Sequence, residues 1–248
     1  MNKPDMIYGT RAVMEAIIAG REIERLYIQK GLNNELIREL LSLIRARNLP
    51  FTYVPVEKLN RLTSKNHQGV VCQLSAVTYA SLDNLINFTY SQGNEPFFVI
   101  LDRITDVRNF GAIARTADCA GVDGLIIGEK GSAPVSGDAM KTSAGALNHL
   151  PVCREKDLKQ TVKFLQNNGI MIVACTEKAS KTIYEIEFNR PVAIIMGSEE
   201  DGISDELIRI ADELVKIPMK GKIGSLNVSV ATGIAMYEVV RQKAIRVS

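Results

Sequence analysis

Two apolar runs, residues 96–101 (PFFVIL) and 191–196 (PVAIIM), limit the folds open to this chain of 248 residues. Neither alternates polar with apolar positions, so a strand made from either must be covered on both faces, as in a parallel sheet with helices on each side. The intervening pattern agrees with this. Residues 109–120, 155–167 and 204–211 have helical spacing, while 122–127, 170–174 and 192–196 read as strands. This alternation predicts a doubly wound α/β domain over residues 96–248, whose ligands sit beyond the carboxyl ends of the strands, in the loops after Asp102, Met196 and Ile217.

The chain before it is built on a shorter rhythm. Residues 7–77 predict a small α/β unit, with Thr10 and Asn33 as helix caps, strands at 23–29, 51–54 and 70–77, and a short helix from Val56. Residues 78–95 are polar with little periodicity and predict a linker, so the domains divide as 1–77, 78–95 and 96–248. The first 78 residues carry 11 Lys and Arg against 7 Asp and Glu, an excess that fits contact with nucleic acid or an ordinary solvated surface. His67, in the polar turn 65–69, fits RNA contact or an exposed turn. No apolar run is long enough to cross a membrane and no signal segment opens the chain, which predicts a cytoplasmic protein. Four scattered cysteines with two histidines suggest reduced core thiols and no metal site.

The three loops carry the chemistry. In the first, Asn109 stands at a helix start, and Arg115 projects from small and apolar neighbours; its guanidinium either holds a phosphate, with Arg103 and Arg108 nearby, or pairs with Asp118 or Glu199. In the second, Gly197 admits close backbone approach and Glu199 offers a carboxylate as acceptor, orienter or base. The third runs from Lys216 through Gly221 and Gly224, read as needing unusual backbone angles, to Ser225 at a helix N-cap position and Asn227. The helix that follows predicts burial on several sides. The absence of GxGxxG and GxxxxGK[ST] argues against a dinucleotide dehydrogenase and a P-loop NTPase.

The segments DVRNFGAIARTADCAGVDGLI, IIMGSEEDGISDELIRIADELVKIPMKG and SLNVSVATGIAMYEVVRQ together resemble the three motifs of the SpoU, or TrmH-like, RNA ribose 2′-O-methyltransferases. IYGTRAVMEAI and NHQGVV resemble the substrate-binding domain of the branch that methylates a guanosine of large-subunit (23S) ribosomal RNA. The resemblance implies a SPOUT-type parallel sheet with a deep trefoil knot, preceded by a small L30e-like RNA-binding domain. It also implies S-adenosylmethionine as cofactor, RNA as substrate and a homodimer with its active site near the subunit interface. Carried over by position, Gly197, Ile217, Met219 and Leu226 meet the cofactor, and Asn109, Arg115, Glu199, Ser225 and Asn227 form the catalytic set; no metal is implied. Val107-Arg108 replaces the Asp-Pro that many members have before the asparagine. The alternatives are a transfer-RNA methyltransferase of the same family and a non-catalytic RNA-binding protein on the same fold.

Overall fold

The structure, a computed structural model, describes residues 6–246, with nothing taken from the Arg246 side chain; the outer ends of the two expected domains, residues 1–5 and 247–248, lie outside the described residues. The chain forms two compact units, one made of the residues up to Thr78 with Pro134–Asp138, the other of Tyr79–Ala133 and the residues from Ala139 onward.

The first unit contains β1 (Met6–Tyr8), α1 (Thr10–Ile18), β2 (Ile23–Gln29), α2 (Glu35–Ala46), β3 (Thr52–Val54), α3 (Val56–Leu62) and β4 (Val70–Leu74). Its sheet runs β1-β4-β2-β3, with β4 antiparallel to both neighbours and β3 parallel to β2. Val13 and Ile17 of α1 and Ile37, Leu40 and Ile44 of α2 cover one face, burying Leu26, Ile28 and Cys72. Val54, Leu59 of α3 and Val71 form a smaller cluster on the other. The caps fall one residue from their expected places. Asn34, not Asn33, accepts a 2.9 Å hydrogen bond from the Ile37 amide, and Gly9 at φ 90° precedes α1, leaving Thr10 buried within it.

The second unit contains α4 (Leu82–Ser91), β5 (Phe97–Leu101), α5 (Val107–Cys119), β6 (Gly124–Gly128), α6 (Gly137–Thr142, begun in the first unit's segment), β7 (Val152–Glu155), α7 (Leu158–Asn167), β8 (Met171–Cys175), β9 (Lys181–Thr182), β10 (Val192–Met196), α8 (Asp205–Ile208), β11 (Glu213–Lys216) and α9 (Val228–Arg246). Its seven strands are all parallel in the order β7-β6-β5-β10-β8-β11-β9. The two apolar runs that predicted this sheet are its neighbouring central strands β5 and β10, both fully buried. The polar stretch 78–95 holds α4, capped by Ser81, whose Leu82 and Ile86 join the core with Phe98 and Ile126. Leu85 packs against the same cluster while Phe88 stays exposed, so three apolar positions within about one turn seat this short helix.

Three of the four cysteines depart little from the expected core thiols. Cys72 and Cys153 are buried, which pushes their thiols up to about 12, and Cys175 is half-buried, but Cys119 is exposed. Helix α9 buries Thr232, Ala235, Met236 and Val239, yet Val230, Tyr237 and Ile245 stand exposed, so within one chain it buries a single face rather than several. Its later turns are anchored by Glu238, which accepts 2.8 and 2.7 Å hydrogen bonds from Arg241 and one of 2.7 Å from Gln242. Those donors hold the Glu238 carboxyl below its ordinary range. No described helix is long and apolar enough to cross a membrane.

Candidate active site

Because β5 and β10 are adjacent, the loops that leave their carboxyl ends are adjacent too. Asp102, at the end of β5, is buried and accepts a 2.7 Å hydrogen bond from the Ser204 amide. Arg103 takes a left-handed backbone conformation, φ 58°, and donates to Asp201 at 3.2 Å and to the Gly202 carbonyl at 3.1 Å. Its charge therefore ties the two loops together instead of adding to a phosphate site, as its place near Arg115 in sequence had suggested. Asp106 caps α5 by accepting from the Arg108 and Asn109 amides, which puts Asn109 in the first turn rather than at the cap.

Gly197 has a structural cause. A Cβ there would collide with the Gly202 carbonyl group and the Ile203 nitrogen, because the loop closes on itself through paired Ser198 and Gly202 hydrogen bonds of 3.1 and 3.0 Å. The space a side chain at 197 would need is filled by the chain's own backbone. What this closure presents outward is Glu199.

Glu199 Oε1 accepts from Asn109 Nδ2 at 3.1 Å and Asn227 Nδ2 at 2.8 Å, with the Val228 amide at 3.4 Å. Asn227 Nδ2 also donates to Asn109 Oδ1 at 3.0 Å, and Asn227 Oδ1 accepts from the Ser229 amide and hydroxyl. One residue from each of the three loops thus meets at a single point, although they lie 28 to 118 positions apart in the chain. Asn227 is also the residue that caps α9, a role that sequence had placed at Ser225.

Beside this trio lies a cleft of about 440 Å³ whose lining includes Gly197, Ile217, Met219, Ser225, Leu226 and Asn227. Met219 and Leu226 leave 40% and 38% of their surface exposed there. Among the described residues, 219–226 make no hydrogen bond at all, so a continuous run of backbone N–H and C=O groups is open to a ligand. Gly221 and Gly224 in this loop have ordinary φ, and a methyl group at either would have nothing within 4 Å, so neither is needed for an unusual backbone angle. Apolar side chains beside unused backbone donors and acceptors suit a nucleoside with a charged tail, and S-adenosylmethionine fits that description. A second cleft of about 330 Å³, lined by Thr105, Asp106, Asn109 and Gly131, shares Ser198, Glu199, Glu200, Asp201 and Val228 with the first.

Arg115 is not part of the trio. It lies six residues beyond Asn109 on α5, about 9 Å along the axis and on another side of the helix. Its side chain is exposed and bonded to no described residue, Asp118 and Glu199 included. Ser225 lines the cleft without joining the hydrogen-bond network. Sequence reading missed Asp102, Arg103 and Asp106 as supports, and also Thr142, against which Gly111 is pressed too closely for any Cβ. Only the glycine of the NFGA run hinted at that contact. Among the described residues no cluster of His, Cys, Asp or Glu could hold a metal ion.

Residues 96–237 match the model of the SpoU rRNA methylase family, and residues 6–80 match that of the RNA 2′-O ribose methyltransferase substrate-binding domain. A Bacillus subtilis (strain 168) protein, YacO, assigned to the TrmH family of tRNA/rRNA methyltransferases, is 34% identical, with 96% of each chain covered. The AdoMet-bound rRNA methyltransferase from Sinorhizobium meliloti superimposes with a TM-score of 0.60 at 28% identity, covering 95% of this chain and 86% of that one. The TrmH/SpoU tRNA modifying enzyme from A. aeolicus does so with a TM-score of 0.55 at 30% identity, covering 62% of this chain and 78% of that one.

Proposed function

The chain belongs to the SpoU rRNA methylase family and is an RNA methyltransferase that uses S-adenosylmethionine, and we propose that its acceptor is the ribose 2′-hydroxyl of a guanosine in large-subunit (23S) ribosomal RNA. The observation that carries the reading is the meeting of Asn109, Glu199 and Asn227 at the rim of a cleft whose far wall, residues 219–226, has its backbone uncommitted. Ribosomal rather than transfer RNA is favoured because the likeness to the rRNA methyltransferase extends over both units, whereas that to the tRNA enzyme covers 62% of the chain. Residues 1–77 then serve as the RNA-binding domain and 96–248, together with the helix α4 packed into its core, as the catalytic domain, with the knot of its class, in a cytoplasmic homodimer.

Gly197, Ile217, Met219 and Leu226 would hold S-adenosylmethionine, which supplies a sulfonium-activated methyl group. The protein's task is then to place the 2′-hydroxyl in line and relieve it of its proton, and orientation alone is worth roughly 7 to 11 kcal/mol in favourable cases. Glu199 Oε1 is occupied by its donors, and Oε2 remains to accept that proton. Asn109 and Asn227 fix the carboxylate, and Ser225 contacts the nucleotide from the open loop. The Arg115 guanidinium offers donors and no acceptor, so it acts by clamping the adjacent phosphate and stabilising the forming alkoxide. As it stands outside the trio of its own chain, the face shared by α5 and α9, where Val230 and Tyr237 are exposed, is the surface through which a second copy brings Arg115 to the neighbouring site.

The test is methyl transfer from labelled S-adenosylmethionine to protein-free ribosomal RNA and, separately, to bulk transfer RNA. Label recovered as 2′-O-methylguanosine in large-subunit RNA is expected; label in transfer RNA alone would replace this reading with the transfer-RNA one. Arg115→Lys is expected to lower turnover strongly, and near-normal turnover would remove the bidentate clamp from the mechanism.

A further inference from the structure

The first unit distributes its charge unequally between the two faces of its sheet. Helices α1 and α2, on one face, carry Arg11, Arg38 and Arg45 against Glu15, Glu35 and Glu39, a balance of zero. The other face is covered only by α3 and the turn that follows it. There Arg25, Lys58, Arg61 and Lys65 stand, and among the described residues α3 and its following turn contribute one carboxylate, Glu57.

Strand pairing places these groups in a strip. Tyr8, Val71 and Tyr27 are register partners across β1, β4 and β2, and Met6, Gln73 and Arg25 form the next row on the same face. Val71 is buried beneath α3, but the tyrosines are half-exposed and each has a cation over its ring: Lys65 Nζ lies 5.0 Å from the Tyr8 centroid and Lys58 Nζ 5.4 Å from that of Tyr27. A lysine over an aromatic ring is attracted to its negative face, which narrows its position. None of the four cations is paired with a carboxylate among the described residues. At the end of the strip, Asn60, Thr63, Ser64, Lys65, Asn66 and His67 line a hollow. His67 is fixed there, accepting from the Gly69 amide at 2.9 Å through Nδ1 and therefore donating through Nε2 to Asn60 Oδ1 at 2.8 Å.

We propose that this strip, Arg25, Lys58, Arg61 and Lys65 over the Tyr8–Tyr27 face, is where the first unit holds the phosphate backbone of substrate RNA. The proposal rests on the reading of the chain as an RNA methyltransferase and adds the surface on which the RNA lies. Unpaired cations spaced along one face satisfy a polyanion, whereas a protein partner of mixed charge is met as well by the balanced helical face. The α1–α2 face, with its arginines offset by as many carboxylates, is a built-in control.

The test measures binding of protein-free large-subunit ribosomal RNA as a function of salt for the full chain, for Arg25→Ala, Lys58→Ala, Arg61→Ala and Lys65→Ala, and for the control Arg38→Ala/Arg45→Ala. Each strip variant is expected to weaken binding and to lower the slope of log affinity against log salt by about 0.7, the value for one lost contact to a single-stranded phosphate. S-adenosylmethionine affinity and melting temperature should stay at wild-type values, and the control should keep the full slope. Slopes unchanged in the strip variants, or lowered equally by the control, would overturn the proposal. Because binding is the readout, wild-type protein that methylates only transfer RNA would sink the ribosomal reading without touching the strip, and the slopes would then be taken with transfer RNA.

Discussion

Two loops line the same cleft and are built in opposite ways. Residues 197–203 close on themselves through the Ser198–Gly202 hydrogen bonds, are tied to β5 by Arg103 and Asp102, and leave no room for a side chain at Gly197. Residues 219–226 make no hydrogen bond among the described residues, and the glycines within them, Gly221 and Gly224, have open space around them. The first is a mount closed by its own hydrogen bonds, and it carries Glu199, whose carboxylate is held by the chain's own Asn109 and Asn227. The second is a wall with its backbone uncommitted, and under the proposed function its ordering would draw on binding energy. Glycine therefore has two meanings in one site: at 197 it is demanded by packing, at 221 and 224 it is only permitted.

The contrast can be broken by substitution. Gly197→Ala should have the largest effect, because backbone rather than a flexible side-chain tip occupies the needed space; a loss of about 3 kcal/mol or more in denaturant unfolding is expected, with loss of cofactor binding. Asp102→Ala leaves the Ser204 amide without its acceptor and Arg103 without one of its carboxylates, and should cost about 2 to 3 kcal/mol in the same measurement. Asn227→Ala sits where the two kinds of loop meet. It should cost about 1 kcal/mol as a lost helix cap, while turnover in the labelled-methyl assay falls on the order of 100-fold because Asn109 and Glu199 lose their shared donor. Gly224→Ala should change folding stability by no more than about 0.5 kcal/mol, and a larger loss on unfolding would show that the open loop is as constrained as its counterpart.

Legibility from sequence followed the range of the interaction concerned. Unalternating apolar runs named β5 and β10 as strands covered on both faces, since that burial is written in every residue of the run, while their neighbouring places in the sheet came from the fold. Edge strands β7 and β9 escaped because four and two residues carry too little pattern to separate from a neighbouring helix or turn. Caps were displaced for a related reason. At Asn33–Asn34 and at Ser225–Asn227 two competent side chains compete, and only the direction of the chain decides which oxygen reaches an amide. Helix α4 was read as a connection because its two core residues are outnumbered by polar ones.

By itself the sequence determined the parallel α/β class and the strand-end loops and, through resemblance, named the residues expected at the site, because apolar pattern and long motifs are local properties of the chain. Only tertiary structure decided which of those residues meet. Asn109, Glu199 and Asn227 converge because β5 and β10 are neighbours in the sheet and α9 starts beside them, while Arg115, equally prominent in the same motif, is turned away by the pitch of its helix. Gly197 too took its meaning from the fold, as the crowding that requires it comes from backbone five and six residues further along the chain, brought back by a turn.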